Sequence, residues 1–399
     1  STPELLMGAT GVFVQKTNHG GGSPIVRGLM GNQVLLLMDG IRLNNATYRY
    51  GPNQYLATID PLLLDRVEVT RGSGSVLYGS DALGGVVQLI SKSPVFAAGK
   101  PTFSARAFGK WMSAGMELSG RGEIQAATEK IAFLGGFSAR NFGDLLAGGS
   151  LGFQSPSAYQ ERAADAKLLV RTSANGLLTA SYQHLVQYDV PIYYRVAQDN
   201  YTRYSFVPQS RTLGYLRWER QSENKWMQTI RLTASLNRSV EGLETQRRNA
   251  ATFNRGKDVV NTWGAVAEVH SQPTAFWQAQ SGVEYYLDQV SSQLAVINPQ
   301  TGEATARRGN FADGSEMRNL AIFTSHVLDF QRFQFTGGLR YNAVTLQVQD
   351  EAINNPRISP AALVGNASAT YKITDNHHLI VGFNTGFRSP NLDDVSKLG

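Results

Sequence analysis

From Thr102 onward the chain alternates apolar and polar residues over long stretches, the period of a strand whose two faces meet different surroundings. In residues 226–237 one face carries Trp226, Gln228, Ile230, Leu232, Ala234 and Leu236, and the other Met227, Thr229, Arg231, Thr233, Ser235 and Asn237. Residues 333–343 set Phe333, Phe335, Leu339 and Tyr341 against Gln334, Thr336, Arg340 and Asn342. Residues 103–111, 131–140 and 379–387 repeat the pattern with single exceptions, and Asn175-Gly176 marks a tight hairpin between two such runs. Strands of soluble sheets average about five to six residues. Runs of ten or more, rich in glycine and ending in aromatics, predict a barrel with lipid outside and water inside. The polar segments 143–160, 191–208, 245–258 and 298–317 read as long loops, alternating with short turns.

The first ninety residues follow another pattern, that of a small α+β unit. Ser1 or Thr2 caps a short helix with Pro3 at its first position. Residues 12–14 form a strand, a glycine-rich loop runs through 17–23, and the apolar run 34–38 suits a strand buried on both faces. Asp39-Gly40 is a turn that sends 41–43 back as a hairpin. Residues 44–55 form a polar, tyrosine-rich loop. Asp60 caps a turn starting at Pro61, 67–69 is a strand, 80–83 is a helical turn stopped by Gly84-Gly85, and 86–90 is the last strand.

Composition narrows the class. The 399 residues allow two to three domains. With 42% hydrophobic residues the chain is not disordered. The absence of cysteine excludes disulfides, cysteine-ligated metal centres and a cysteine nucleophile. The most hydrophobic run, 34–38, is far short of the roughly 18 residues of a spanning helix. The chain opens on no signal peptide. The net charge of +6 is scattered, unlike a nucleic-acid footprint, so no nucleic-acid partner is expected.

Pro24 to Gly28, Val34 to Gly40, Ile59 to Gly72 and Ser75 to Ile90 together resemble the plug domain of TonB-dependent receptors, in order and in spacing. Gly386-Phe387-Arg388-Ser389-Pro390-Asn391-Leu392 resembles a barrel box best known from haem receptors of that family. Ser73 and Gln88 stand where the family usually has proline and asparagine. The resemblance implies an α+β plug (1–92) inside a transmembrane antiparallel β-barrel (93–399) in the bacterial outer membrane, driven by the TonB complex. At roughly 22 residues per strand, this length supplies about fourteen of twenty-two strands, so the barrel is expected to be incomplete, with C-terminal strands missing. The TonB-contact segment is expected upstream of Ser1.

In such receptors substrate binds between the plug apex and the extracellular loops. The candidate ligand-binding residues are Arg42, Asn44, Asn45, Tyr48, Arg49, Tyr50, Asn53 and Tyr55, where phenols, amides and positive charge suit an anionic metal chelate. His19 is a further candidate, as a ligand to haem iron or simply as a solvated loop histidine. The resemblance implies that Arg27, Glu68 and Arg71 latch the plug to charges on the barrel wall, with a static contact as the plainer reading. No catalytic set, metal site or cofactor is expected. Gly148-Gly149-Ser150-Leu151-Gly152 matches a hydrolase pattern but lacks the flanking strand and helix, and His377-His378 reads as a turn. The expected function is import of an iron chelate, haem or siderophore. The alternatives are cobalamin or oligosaccharide uptake, or a structural or adhesive barrel without transport.

Overall fold

The computed structural model describes residues 1–395. The N-terminal unit begins with a 3-10 helix, Thr2–Leu6, followed by a three-stranded sheet of Val12–Gln15, Ser23–Val26 and Leu29–Met30. A second sheet has the order Ile41–Arg42, Val34–Met38, Gly85–Ser91, Leu64–Arg71. Every residue of Val34–Met38 is buried, because this strand is central and is covered on both faces. It runs parallel to Gly85–Ser91, the crossover being the whole segment between them. Asp39 (φ 51°) and Gly40 (φ 80°) are both left-handed, as a two-residue hairpin turn requires. The Asp60 carboxylate accepts from Leu62 N at 3.0 Å, capping the turn at Pro61. The short helix lies at Ser75–Tyr78, not at 80–83. Gly79 (φ 84°) ends it, and Asp81 (φ 74°) is left-handed and spends its carboxylate on Arg42 and Asn44, so 80–83 cannot be helical.

The rest of the chain is a meander in which each long strand pairs antiparallel with its neighbours. Thirteen strands form the continuous path, from Thr102–Met112 at one edge to His378–Asn384 at the other, with three short strands beside it. Side chains alternate as expected. Leu216 is 56% exposed and Leu213 is fully buried, one facing outward and the other toward the plug. The two edge strands do not pair with each other, and both are exposed along their whole length, so the barrel is incomplete. Aromatic rings cluster at the short-turn end, where Trp226 meets Trp277 and Phe330 meets Phe335. Tyr182, Trp263, Tyr285 and Tyr341 stand exposed higher on the outer surface. Two aromatic belts are the mark of a lipid-facing barrel.

Several segments read as loops are largely strand. Tyr201–Gln221 and Phe253–Thr274 are 21 and 22 residues long, and only 248–252 separate Thr229–Arg247 from Phe253–Thr274. About ten residues cross a bilayer. The strands continue above it, where Ser205 and Phe206 are both buried and Phe206 packs with Phe142, Tyr159, Val190 and Ile192, so hydropathy no longer alternates while backbone pairing persists. In the same way residues 226–228 belong to a turn, and the strand starts at Thr229.

Candidate functional site

The segment after the Asp39-Gly40 turn climbs the wall as a braced loop. Asn44 acts as a surrogate strand, with its Oδ1 accepting from Leu36 N at 2.9 Å and its Nδ2 donating to Val34 O at 3.1 Å. Arg42 donates to Asp81 at 2.5 Å, and both side chains are buried. Asn45 closes an Asx turn by accepting from Thr47 N at 3.0 Å, and its Nδ2 donates to Ser239 of the wall at 3.1 Å. Ala46 N donates to Asp288 at 2.7 Å. Buried polar groups must be paired, and here the pairing fixes the loop to the wall.

The Tyr48 and Tyr55 rings are stacked, 3.8 Å apart and 12° from parallel. The Tyr55 hydroxyl accepts from Arg49 Nε at 3.0 Å and from Arg49 N at 3.1 Å, while Arg49 Nη2 reaches Glu241 on the wall at 2.6 Å. Burial pushes the Tyr55 phenol up to about 12, with the Arg49 charge pulling the other way. Burial also raises the Tyr48 phenol. Burial disfavours the Arg49 charge, but Glu241 outweighs it and the guanidinium is held above its usual value. Asn53 Nδ2 donates to the carbonyls of Arg49, Tyr50 and Gly51 at 3.1–3.3 Å and so ties off the tip.

Of the eight candidate loop residues, the structure commits Arg42, Asn44, Asn45, Tyr48, Arg49 and Tyr55 to internal bracing. Tyr50 (63% exposed) faces outward at the tip, and half-buried Asn53 spends its amide nitrogen on the loop's own carbonyls. Beneath the loop a cavity of about 40 Å³ is bounded by Tyr48, Arg49 and Tyr55 and by wall residues Arg211, Asn237 and Glu241. It is too small for a metal chelate. His19 does not line this cavity. It lies edge-on to wall residues Phe142 and Tyr159, with centroids at 5.1 and 5.5 Å. Burial there lowers its pKa to about 4, which favours the neutral ring.

The three latch candidates lie in a plug turn and on an edge strand of the plug sheet. Arg27 is exposed in a turn at φ 53°, Glu68 pairs with Arg66 at 2.7 Å, and Arg71 donates to Thr10 O at 3.3 Å. Leu64–Arg71 is the free edge of the plug sheet and stands exposed, so its charges find partners on the plug itself. Besides Arg49, Asn45 and Ala46 of the apex loop, two plug carboxylates meet the wall. Asp60 accepts from Ser138 at 2.6 Å and from Arg121 at 3.5 Å, and Asp39 meets Lys167 at 3.4 Å and Tyr215 at 3.1 Å. In sequence these two aspartates look like a helix cap and a turn residue, which hides the second role. The segment 385–395 was also missed as an apex brace. Asn391 Nδ2 donates to Tyr48 O at 2.7 Å, Leu392 N to Ala46 O at 2.9 Å, and Ser389 N to Ser80 at 3.0 Å. Only the box at Gly386–Leu392 signalled it.

Comparison with known proteins agrees with this architecture. Residues 1–86 match the TonB-dependent receptor plug domain, and residues 137–397 match the TonB-dependent receptor-like β-barrel. The chain is 24% identical, over 99% of its length and 57% of the relative's, to a vitamin B12 transporter, BtuB, of Photobacterium profundum. Over 96 residues, 23% of this chain and 15% of the relative, it is 44% identical to BtuB of Vibrio cholerae. The copper transporter OprC superposes with a TM-score of 0.83 at 14% identity, covering 98% of this chain and 60% of that one. The Serratia marcescens hemophore receptor HasR, solved with its hemophore HasA and heme, superposes at 0.79 with 17% identity, covering 100% and 62%. The chain therefore spans about three fifths of the length of these proteins. With a plug matched at its N-terminus and a barrel matched over most of the remainder, the chain belongs to the TonB-dependent receptor family.

Proposed function

We propose that this chain is the plug (1–92) and part of the barrel (93–399) of a bacterial outer-membrane receptor that imports a bulky metal chelate, powered by the TonB complex, without bond chemistry of its own. The observation that carries the reading is the apex. Its loop is fastened to the wall through Asn45, Ala46 and Arg49, and it presents a phenol, Tyr50, outward. Such a tip recognises the organic periphery of a chelate by stacking and hydrogen bonds. Rigid seating means that little ordering is needed on binding. A corrinoid of the vitamin B12 class comes first among cargoes, because the BtuB likeness runs along 99% of the chain. Haem or a ferric siderophore is the second reading, favoured by the Phe387–Asn391 box docked on the plug at Ser75 and Ser80.

The test is a deletion strain complemented with the whole gene. It is grown with cyanocobalamin as the sole cobalamin, and separately with haemin or a ferric siderophore as the sole iron source. The reading expects growth on cyanocobalamin to require the gene and an intact TonB system. Dependence on the gene for haemin or siderophore alone moves the cargo to the second reading. Unchanged growth in all arms removes both.

A further inference from the structure

The outer surface of the wall carries an apolar groove of about 600 Å³, which reaches across neighbouring strands from Phe133 to Tyr285. Strand register explains the hollow. Tyr182, Gly214, Leu236 and Trp263 stand opposite one another on four adjacent strands, and in the row below so do Ala180, Leu216, Ala234 and Ala265. Directly paired residues share a face, here the outer one. The floor is bare where the row has glycine or alanine. Packing does not demand Gly214, because a Cβ there would meet only Ser181 O, at 3.9 Å. Tyr182 and Trp263 are half exposed, and their hydroxyl and indole N–H have no partner among the described residues. Such rings sit at a membrane interface with the apolar body in lipid and the polar tip free.

The row above the groove, toward the long loops, is polar. His184, Thr212, Arg238 and Asn261 stand opposite one another on the same four strands. His184 Nδ1 and Thr212 Oγ1 lie 2.8 Å apart, and Arg238 Nη1 donates to Asn261 Oδ1 at 3.1 Å. Exposed Arg238 has no carboxylate partner among the described residues. Arg162, one row higher and three strands away, donates from Nη1 to Arg140 O, Glu161 O and Asn141 Oδ1, and it too has no carboxylate partner among the described residues. Elsewhere on this face Glu244 neutralises Arg203 and Arg255, and Glu316 neutralises Arg318. Arg162 and Arg238 therefore keep an open positive charge directly above an apolar hollow. Their Cα atoms are roughly 15 Å apart, three strand spacings across and two residues along.

A guest that fits both parts is amphipathic, with an acyl chain in the hollow and anionic groups on the guanidiniums, which bind phosphate through paired N–H donors. The groove lies at the loop end of the wall, so the guest belongs to the outer leaflet. A head with one phosphate reaches one of the two arginines. A disaccharide phosphorylated at both ends reaches both, and charge complementarity therefore selects it.

We propose that this face binds a doubly phosphorylated acyl disaccharide of the lipid A type, with an acyl chain over Gly214 and its phosphates on Arg238 and Arg162. This rests on the outer-membrane reading of the barrel and on no particular cargo. The test uses the receptor expressed from its whole gene and purified in detergent. It is titrated with diphosphoryl lipid A, monophosphoryl lipid A or phosphatidylglycerol, and bound lipid is counted by native mass spectrometry. The native protein is expected to hold one diphosphoryl lipid A at least tenfold more tightly than either other lipid. Arg162→Gln with Arg238→Gln is expected to weaken that binding at least tenfold. Gly214→Phe, which keeps both arginines and fills the hollow, is expected to lose as much, and the arginine pair stands alone as the test should this variant fail to fold. Lys257→Gln, which removes an exposed cation on the same strand as Asn261, is expected to stay within twofold of native. Equal affinity of the native protein for either comparison lipid overturns the proposal, and so does native affinity in the arginine pair or in folded Gly214→Phe. Cyanocobalamin binding, measured separately on the same samples, reports on the cargo reading and not on the lipid site.

Discussion

Arg49 of the plug donates to Glu241 of the barrel wall at 2.6 Å, and the same carboxylate oxygen accepts from Gln54 at 2.6 Å. Two plug side chains thus converge on one wall carboxylate, and both charged partners are largely buried, at 21% and 17% exposure. Removing one member of such a pair leaves the other charge desolvated, which costs about 2–4 kcal/mol. Glu241→Ala is expected to loosen the apex and weaken cyanocobalamin binding at least tenfold by calorimetry. Glu241→Gln, which keeps an acceptor, is expected to lose less. Equal affinities for both variants and native protein would show that the bridge does not seat the site.

Gly31 lets the apex loop approach. A Cβ at this position would sit 2.5 Å from Arg49 O and 2.9 Å from Gly51 N, and the backbone is at φ 59°. Both obstacles are backbone, so nothing flexible can yield. Asn32 N also donates to Arg49 O at 3.2 Å, which holds the strand end against the loop. Gly31→Ala is expected to cost about 2–3 kcal/mol, from αL strain together with displacement of residues 49–51. The loss should appear as weaker ligand binding with the barrel still folded on a heat-modifiability gel. Native affinity in this variant would refute the close-approach argument.

How far the sequence speaks depends on which interactions write a periodic signal. Alternation showed the lipid-facing strands because Leu216 and Leu213 meet opposite surroundings. It failed above the bilayer, where Tyr201–Gln221 and Phe253–Thr274 continue with consecutive residues buried, as at Ser205 and Phe206, rather than alternate ones. The Asp39-Gly40 turn and the Asp60 cap were legible because each is local chemistry. Their second partners, Tyr215 and Ser138, lie 176 and 78 residues away and leave no local trace. For the same reason the tyrosine-rich loop could be named as a site element, but not divided into braces and tip. That division depends on Ser239, Glu241, Asp288 and Asn391.

The outer surface gives a prediction independent of the site. Leu216 is exposed between Ala180 and Ala234 on neighbouring strands, level with Tyr285 three strands further on. A cation there lies at the level of the upper aromatic belt, where its cost is about 0–1 kcal/mol. Leu216→Arg is expected to lower the folded fraction in lipid vesicles slightly, whereas Leu216→Phe is expected to fold as native. Outer-membrane lipid is thereby tested as the partner of this face, and equal folding of both variants would place the face in water.

The His19 environment sets a pH dependence. The ring is half-buried between Phe142 and Tyr159, and burial lowers its pKa from the usual 6.5 to about 4. The unfolded chain therefore binds a proton between pH 6.5 and 4 that the folded chain refuses. Stability rises with pH through that window, so it is fully present above pH 6.5 and lost as the pH falls toward 4. Allowing for the ring's partial exposure, the contribution is about 1–2 kcal/mol. Carboxylates titrate over part of the same range, so the informative quantity is a difference between proteins. Native protein is expected to lose about 1–2 kcal/mol more than His19→Gln between pH 7 and 4, in chemical unfolding followed by tryptophan fluorescence. The His19 ring resonance is expected to titrate near pH 4. Coincident stability curves for the two proteins, or a ring titrating at 6.5, would place His19 in solvent rather than against the wall.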